Sequence, residues 1–152
     1  MKGSGFTLIE LLITVSIIAV LSAVGITSYQ GTQARARDAI RKDDLKTLAT
    51  ALELYNQKNG GYVAAGSGAD SCNRDTASFY TLIAPFVNTA VPADPLTKQK
   101  YCYISQNNNS SYRLFAKLEN CSDGQIISGI NCQSSTWNYS IVSDNLTIAP
   151  AP

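Results

Sequence analysis

Hydrophobic residues form one long run near the start of the chain. Between Phe6 and Tyr29 the residues are mostly apolar, and one of them, Glu10, carries a charge. At a rise of about 1.5 Å per residue, some twenty helical positions span about 30 Å, the thickness of the hydrocarbon core of a bilayer. The pattern therefore predicts a helix that is long enough to cross a membrane.

A second pattern begins at Gln30, where the chain becomes polar and charged. Farther on, apolar residues recur at the spacing of a helix that is buried on one side: Leu45, Leu48, Ala49, Leu52 and Tyr55. No strong helix breaker occurs before Asn59-Gly60-Gly61, which is typical of a helix C-cap. We therefore predict one helix of about fifty residues, from near Phe6 to about Lys58, whose second half carries an apolar stripe for a domain to pack on.

A short helix is predicted after a loop that is rich in glycine, alanine and serine, from Gly60 to Arg74. Asp75 or Thr76 is expected to cap this helix, and Pro85 to end or bend it. Its apolar side would consist of Phe79, Leu82, Ile83 and Phe86.

Alternating apolar and polar residues then predict β-strands. The first two, Tyr101 to Ser105 and Ser111 to Leu118, are joined through Asn107-Asn108-Asn109. Further strands are predicted at Gln125 to Ile130, at Thr136 to Val142 and, as an edge, at Leu146 to Ile148. The expected fold class is α+β, with the second half of the long helix packed on a small antiparallel sheet.

The composition argues against an enzyme. The 152 residues include no histidine, which removes the commonest general base and the commonest zinc ligand. We find no phosphate loop, nucleotide fingerprint or nucleophile-base pairing in the sequence. A formal charge of +1 provides no overall field to favour nucleic acid or acidic lipid. We expect no catalytic residue, no cofactor, no metal and no small-molecule substrate.

All four cysteines lie beyond the apolar run: Cys72, Cys102, Cys121 and Cys132. Their even number behind an apolar leader favours disulfides in an oxidising compartment, and the absence of a C-x-x-C pair argues against zinc. Four cysteines allow three connectivities. We predict that Cys121 pairs with Cys132, and Cys72 with Cys102.

The first residues identify a processing signal. Residues 1–5, Met-Lys-Gly-Ser-Gly, are short and basic, and the small residue Gly5 lies before the apolar run, whereas a secretory signal peptide has its cleavage site after that run. The sequence Gly5-Phe6-Thr7-Leu8-Ile9-Glu10 closely resembles the class III signal of type IV pilins and type II secretion pseudopilins. The resemblance implies cleavage between Gly5 and Phe6 by a prepilin peptidase, and methylation of the new N-terminus at Phe6.

Glu10 also has a physical interpretation. A carboxylate within a bilayer-spanning helix costs about 2.5 kcal/mol or more, so it requires a partner or a role. The amino group that cleavage creates on Phe6 stays cationic after methylation, and the resemblance implies that Glu10 pairs with it during subunit assembly. The alternative is a helix-end carboxylate that reaches the lipid headgroups.

Gly25 weakens the helix by about 1 kcal/mol relative to alanine. Many pilins have a helix-breaking proline shortly beyond this point, and their helix melts there in the filament, but this apolar run contains no proline. Local melting near Gly25 and close helix packing at a small residue are both open.

The globular part shows a second resemblance. The turn Pro92-Ala93-Asp94-Pro95 is followed by a Tyr-x-Tyr strand at Tyr101 and a Tyr-x-Leu strand at Tyr112, an order that is similar to that of pseudopilins and small pilins. The two resemblances imply a pilin fold in three segments. These are a cleaved leader (1–5), a transmembrane and filament-core helix (6–29) and an exported head (30–152).

The function that follows is that of a structural subunit of a type IV pilus, for adhesion, twitching motility or DNA uptake. The alternative is a pseudopilin of a type II secretion system or competence apparatus; a monomeric membrane-anchored enzyme is remote. The implied partners are further copies in a helical filament, the prepilin peptidase, and an inner-membrane platform with its assembly ATPase. The precursor would be a single-pass protein of the cytoplasmic membrane with its head outside the cytoplasm, and the product an extracellular pilus.

Four basic residues conflict with this topology, because the positive-inside rule would place them in the cytoplasm: Arg35, Arg37, Arg41 and Lys42. Nearby aspartates dilute this cluster, and the cysteines and the processing motif indicate the opposite orientation. We therefore place Lys2 inside and the head outside.

Two further questions concern the head. Major pseudopilins hold calcium in a C-terminal acidic loop, to which Glu119 and Asp123 could contribute here, but few acids lie nearby and a solvated surface is favoured. Five aromatic residues on alternating strands are expected to lie mainly in the core, with a binding surface as the alternative: Tyr101, Tyr103, Tyr112, Trp137 and Tyr139.

Overall fold

The computed structural model of the chain describes residues 6–64, 77–87, 90–133 and 135–144, without the side chains of residues 24–28, 77 and 78. It confirms the α+β class. The elements are α1 (Leu8–Asn59), α2 (Ala77–Ile83), a short 3₁₀ helix (Ala84–Phe86), β1 (Cys102–Gln106), β2 (Ser111–Ala116) and β3 (Tyr139–Val142).

The long helix α1 is defined by caps at both ends. Thr7 is the N-cap and forms a capping box with Glu10, in which each side chain accepts from the backbone N–H of the other. Gly60 ends the helix in the left-handed region at φ 75° and donates its N–H to the carbonyl of Asn56 at 2.8 Å. The predicted C-cap is therefore confirmed, and the backbone is helical across Gly25.

The second half of α1 packs on the sheet through the predicted stripe. Leu45, Leu48 and Leu52 are buried, and Ala49 and Tyr55 pack against the same cluster. These residues lie on one side of the helix because 3.6 residues complete a turn.

The sheet is antiparallel in the order β1-β2-β3, with Tyr103 opposite Leu114 and Leu114 opposite Ile141. Its first hairpin turns through Asn107, Asn108 and Asn109, whose φ angles are 52°, 55° and 63°. Asparagine tolerates the left-handed region better than most residues, so this tract suits the turn.

Adjacent residues of β2 contribute to opposite faces of the sheet. Leu114 and Ala116 join the cluster that contains the α1 stripe, whereas Phe115 packs with Cys102 and Ile127 in a second cluster. Four of the five aromatic residues considered above are buried, and Trp137 is partly buried beside Phe115. The interpretation of these residues as core is confirmed.

One strand prediction is wrong, and the predicted strand from Thr136 to Val142 is confirmed as β3 with a later start. Residues 125–130 form turns, closed by hydrogen bonds such as Ile126 N–H to the carbonyl of Asp123 at 3.2 Å. β3 begins at Tyr139 and not at Thr136. The Asn138 side chain accepts from the N–H of Leu118 at 2.7 Å and donates to its carbonyl at 2.9 Å. These side-chain bonds stand in place of a strand ladder at that point. The predicted edge strand from Leu146 lies outside the described residues.

The short helix agrees with its prediction in part. Phe79 and Ile83 are buried, but Leu82 is 42% exposed, so the buried side is narrower than the spacing indicated. The α-helix gives way to the 3₁₀ helix that contains Pro85, as expected. The predicted caps Asp75 and Thr76 lie outside the described residues.

Candidate functional site

Phe6 lies just before the N-cap of α1, and Glu10 lies in the first turn of the helix. Glu10 Oε2 accepts hydrogen bonds from the backbone N–H of Thr7 at 2.9 Å and from its Oγ1 at 2.7 Å. Phe6 is 87% exposed, and Gly5 lies outside the described residues. Glu10 is therefore a helix-capping carboxylate. The spacing Thr-x-x-Glu is the sequence signature of this role, and the sequence interpretation missed it.

The first half of α1 presents apolar side chains to all sides. Every large hydrophobic residue described between Phe6 and Leu21 is at least half exposed. Thr14 and Ser16 return their hydroxyls to the carbonyls of Leu11 and Ile13, at 2.8 and 2.7 Å, so their polar atoms are satisfied within the helix.

No helix within the described part of the chain has both the length and the mean hydropathy expected of a membrane span. The predicted span over 6–29 includes residues 24–28, whose side chains lie outside the description.

A buried arginine joins α1 to the head. Arg41 is fully buried, and its guanidinium donates to both carboxylate oxygens of Asp94 at 2.9 and 3.2 Å. One nitrogen, Nη1, donates to Asp38 at 2.8 Å and to Glu119 at 2.7 Å. Burial disfavours the charge on Arg41, but the three carboxylates outweigh it and raise the pKa of the guanidinium.

The carboxylates around Arg41 have further donors. Asp38 accepts from the backbone N–H of Glu119 at 2.9 Å and of Asn120 at 2.8 Å, and Asp94 accepts from the N–H of Leu96 at 2.8 Å. This set of groups, the Arg41 junction, ties α1 to the turn before β1 and to the segment after β2. Its charges are compensated by hydrogen bonds as well as by each other, as buried ions require.

Glu119 is shared between Arg41 and Arg37. Arg37 donates from Nε at 2.8 Å and from Nη2 at 2.6 Å in a bidentate pair. The hydrogen bonds from Arg37 lower the pKa of Glu119 to about 2, with a further contribution from Arg41 and against the opposing effect of burial. Asp123 accepts from Lys42 at 2.6 Å, which lowers its pKa.

These pairs correct two sequence interpretations. Glu119 and Asp123 are not free solvated carboxylates, because Arg37 and Lys42 of α1 form ion pairs with them. Within the described ranges no three of the Cys, Asp and Glu residues are grouped to hold a metal ion. The basic residues after the apolar run are largely paired with the head and do not form a free cationic cluster.

The pH dependence of stability should report the Glu119 pairs. The folded-state pKa of Glu119 lies below its unfolded value, so its contribution is present above about pH 4.5 and is lost as the pH falls toward 2. For this partly exposed group the contribution is roughly 2–3 kcal/mol. In urea denaturation, the stability difference between wild type and Glu119→Gln should shrink between pH 5 and pH 2.

The matched control is Asp43→Asn, at an exposed position of the same helix. Its difference from wild type should stay constant over that pH range. A constant difference for Glu119→Gln as well would contradict the pairing.

One of the two predicted disulfides is confirmed, and the pairing of Cys72 with Cys102 stays a prediction. Cys121 and Cys132 are bonded, with their Cα atoms 5.6 Å apart. Cys102 is buried and disulfide-bonded, and its predicted partner Cys72 lies outside the described residues.

One signal in the sequence could have revealed the junction. Asp38 and Arg41 continue the stripe of Leu45, Leu48 and Leu52 toward the N-terminus at the same helical spacing. Charged residues in line with a buried stripe indicate that oppositely charged partners are buried beside them. The sequence of α1 alone does not show which residues those partners are.

Comparison with known proteins agrees with the motif and the fold. Residues 1–26 match the family model of the prokaryotic N-terminal methylation motif, and residues 28–126 match that of type II secretion system protein G. No solved structure matches the chain.

Several curated proteins are similar. Prepilin peptidase-dependent protein D of Escherichia coli (strain K12) is 39% identical over 82 residues, 52% of this chain and 54% of that protein. Type II secretion system core protein G of Pseudomonas aeruginosa is 32% identical over 70 residues, 46% of this chain and 49% of that protein. The match thus spans about half the length of these two relatives.

A third relative is matched over most of its length. The probable minor fimbrial protein of Dichelobacter nodosus is 30% identical over 126 residues, 76% of this chain and 78% of that protein. The chain therefore belongs to the family of type IV pilins and type II secretion pseudopilins.

Proposed function

We propose that this chain is a structural subunit of a type IV pilus, which polymerises through residues 6–29 after a prepilin peptidase has removed residues 1–5. Adhesion, twitching motility or DNA uptake would be the functions of the filament. The observation that carries the proposal is the apolar half of α1, which no other part of the described chain covers.

That surface needs a partner of the same kind. Eleven large apolar side chains between Phe6 and Leu21 are at least half exposed, and burying a fully exposed side chain of this kind gains about 1.5–3 kcal/mol. Scaled to these exposures, the summed gain is comparable to or larger than the roughly 4–15 kcal/mol that association costs in lost freedom. Parallel copies of the same helix would cover it in a filament, with the heads outside.

Lipid would cover the same surface before assembly, so burial alone does not favour the filament over the membrane. A charged pair between subunits would favour the filament. Glu10 would gain the cationic N-terminus of a neighbouring Phe6, a partner that lipid tails do not provide. A membrane-anchored precursor, an inner-membrane platform and an assembly ATPase belong to this proposal.

The pairing of Arg37, Arg41 and Lys42 with the head supports an exported domain. These residues join α1 to the segments around β1 and β2. Their position after the apolar run is explained by this pairing, so it does not require that they lie in the cytoplasm. We keep Lys2 on the cytoplasmic side and the disulfide-bonded head outside.

Two comparisons bear on the choice between pilus and pseudopilus. The similarity to a probable minor fimbrial protein extends over most of the chain and favours a pilus. The match of residues 28–126 to secretion protein G favours the second candidate, a pseudopilin in a short periplasmic filament.

Mass spectrometry of the mature protein tests the processing step. We expect an N-terminus at Phe6 with one added methyl group, and an unprocessed chain from a Gly5→Leu variant that blocks the peptidase. An intact Met1 in the wild type, or cleavage beyond residue 20, would refute the proposal.

Electron microscopy with an antibody to the head separates the two filaments. Long surface filaments that bind the antibody are expected for a pilus. Loss of protein secretion on deletion, without surface filaments, would establish the pseudopilin instead.

A further inference from the structure

Two oppositely charged residues on the second half of α1 are not used by the head. Arg35 and Asp43 are both exposed, and within the described part of the chain neither forms an ion pair or a side-chain hydrogen bond. The neighbouring cations Arg37, Arg41 and Lys42 all pair with acids beside the head. Arg35 and Asp43 are therefore available to another molecule.

The surface between these two charges suits a second helix. Arg35, Ala39 and Asp43 follow one another at a spacing of four residues, so they lie along one side of α1. Ala36 and Ala39 are exposed there, and the large apolar side chain of Ile40 is 49% exposed. Small side chains allow two helices to approach closely. This side of α1 is thus a narrow uncharged strip with a cation at one end and an anion at the other.

The strip is continuous with the part of α1 that the proposed filament uses. At about 100° per residue, Arg35 lies about 20° beyond eight full turns from Phe6, and Asp43 about 60° beyond nine full turns from Glu10. The backbone is helical from Leu8 to Asn59, so these relations hold along the whole element. A second copy whose Phe6 meets Glu10 therefore directs its Arg35 toward the side of α1 that carries Asp43.

The axial positions agree as well. A shift of about 6 Å, or four residues, places Phe6 of one copy level with Glu10 of the next. The same shift leaves Arg35 of the first copy about 6 Å short of Asp43 of the second. Helical side chains lean toward the N-terminus, so Asp43 leans toward this arginine, and the long arginine side chain spans the remaining distance.

We propose that Arg35 of one copy forms an ion pair with Asp43 of the next copy in the filament. The pair between Phe6 and Glu10 would fix the axial register at the start of the helix, and this second pair would fix it beyond the apolar half. An exposed ion pair contributes little, but packed helices exclude water from this one and every copy repeats it. The inference rests on the proposed filament and names the charges that join neighbouring copies.

Charge reversal in the full chain tests the pair. Arg35→Glu alone, or Asp43→Arg alone, places like charges opposite each other and should reduce the yield of filaments sheared from the cells at least about tenfold. The double variant restores opposite charges and should return the yield to within about threefold of wild type. Quantitative blotting of sheared filaments against total protein measures each yield.

Lys46→Glu is the matched control, because Lys46 is an exposed cation on the same helix and the reversal changes the charge by the same amount. It should change the filament yield less than about twofold, since an isolated surface charge contributes little. Urea denaturation in mild detergent should give the single variants the stability of wild type. That result would separate a lost contact between copies from a loss of folding.

The outcomes distinguish the pair from the filament itself. Wild-type filaments whose yield is unchanged by the single reversals, or is not restored in the double variant, would refute the pair alone. A loss with Lys46→Glu equal to that with Arg35→Glu would show a general effect of charge and would also refute the pair. If wild-type cells form no filaments, the proposed function fails and the pair fails with it.

Discussion

Replacing Arg41 with methionine is expected to lower the free energy of unfolding by about 3–5 kcal/mol. Methionine fills much of the volume of the arginine side chain, but it leaves the carboxylates of Asp38, Asp94 and Glu119 close together without their shared cation. Two of these acids are almost fully buried, with side-chain exposures of 4% and 1%. The large cost comes from unpaired buried charge more than from a lost attraction.

Urea denaturation of the full chain in mild detergent, followed by Trp137 fluorescence, measures this loss. Arg35→Met is the matched control, since Arg35 is exposed on the same helix, and it should change stability by less than about 0.5 kcal/mol. Arg41→Lys should fall between the two, because an ammonium cannot bond both oxygens of Asp94 in the planar geometry of a guanidinium. A loss below about 1 kcal/mol for Arg41→Met would show that the junction does not join helix and head.

Replacing Glu10 with glutamine is expected to reduce filament assembly at least about tenfold. A hydrogen bond to a charged group contributes about 1.5–3 kcal/mol, which corresponds to roughly a ten- to hundredfold change in an equilibrium constant. Glutamine can still complete the capping box with Thr7, so this variant removes the charge while it keeps the helix cap. The amount of precursor should not change.

The complementary variant is Thr7→Ala, which removes the cap and keeps the charge. It should leave assembly within about threefold of wild type, because the cap contributes only about 1 kcal/mol. Quantitative blotting of sheared filaments against total protein measures both variants. If Thr7→Ala blocks assembly and Glu10→Gln does not, Glu10 acts through the helix end and the proposed pairing with Phe6 is wrong.

Several features of the fold were predictable because they depend on residues that are close in the chain. The end of α1 at Gly60 follows from a glycine that adopts positive φ without strain, and the change of helix type follows from Pro85. The hairpin at Asn107 to Asn109 follows from side chains that tolerate the left-handed region. Each of these needs only a few neighbouring residues.

Residues 125–130 show why one strand prediction failed. The segment contains three isoleucines and looks like a strand in the sequence, but in the structure Ile127 N–H donates to the carbonyl of Asn138 at 2.9 Å, and the bond between Cys121 and Cys132 closes the surrounding loop. A strand requires a partner edge along its length, and the local sequence does not show whether that edge is available.

The sequence by itself determined a long helix with an apolar first half, a single charge at Glu10, and a cysteine-bearing head behind it. Only the tertiary structure decided which charged residues of α1 form ion pairs with the head. Arg41 meets Asp94 and Glu119 across 53 and 78 residues of chain. The helical spacing could indicate that Arg41 is buried, but ion pairing depends on groups that meet only after folding, so no local pattern could identify its partners.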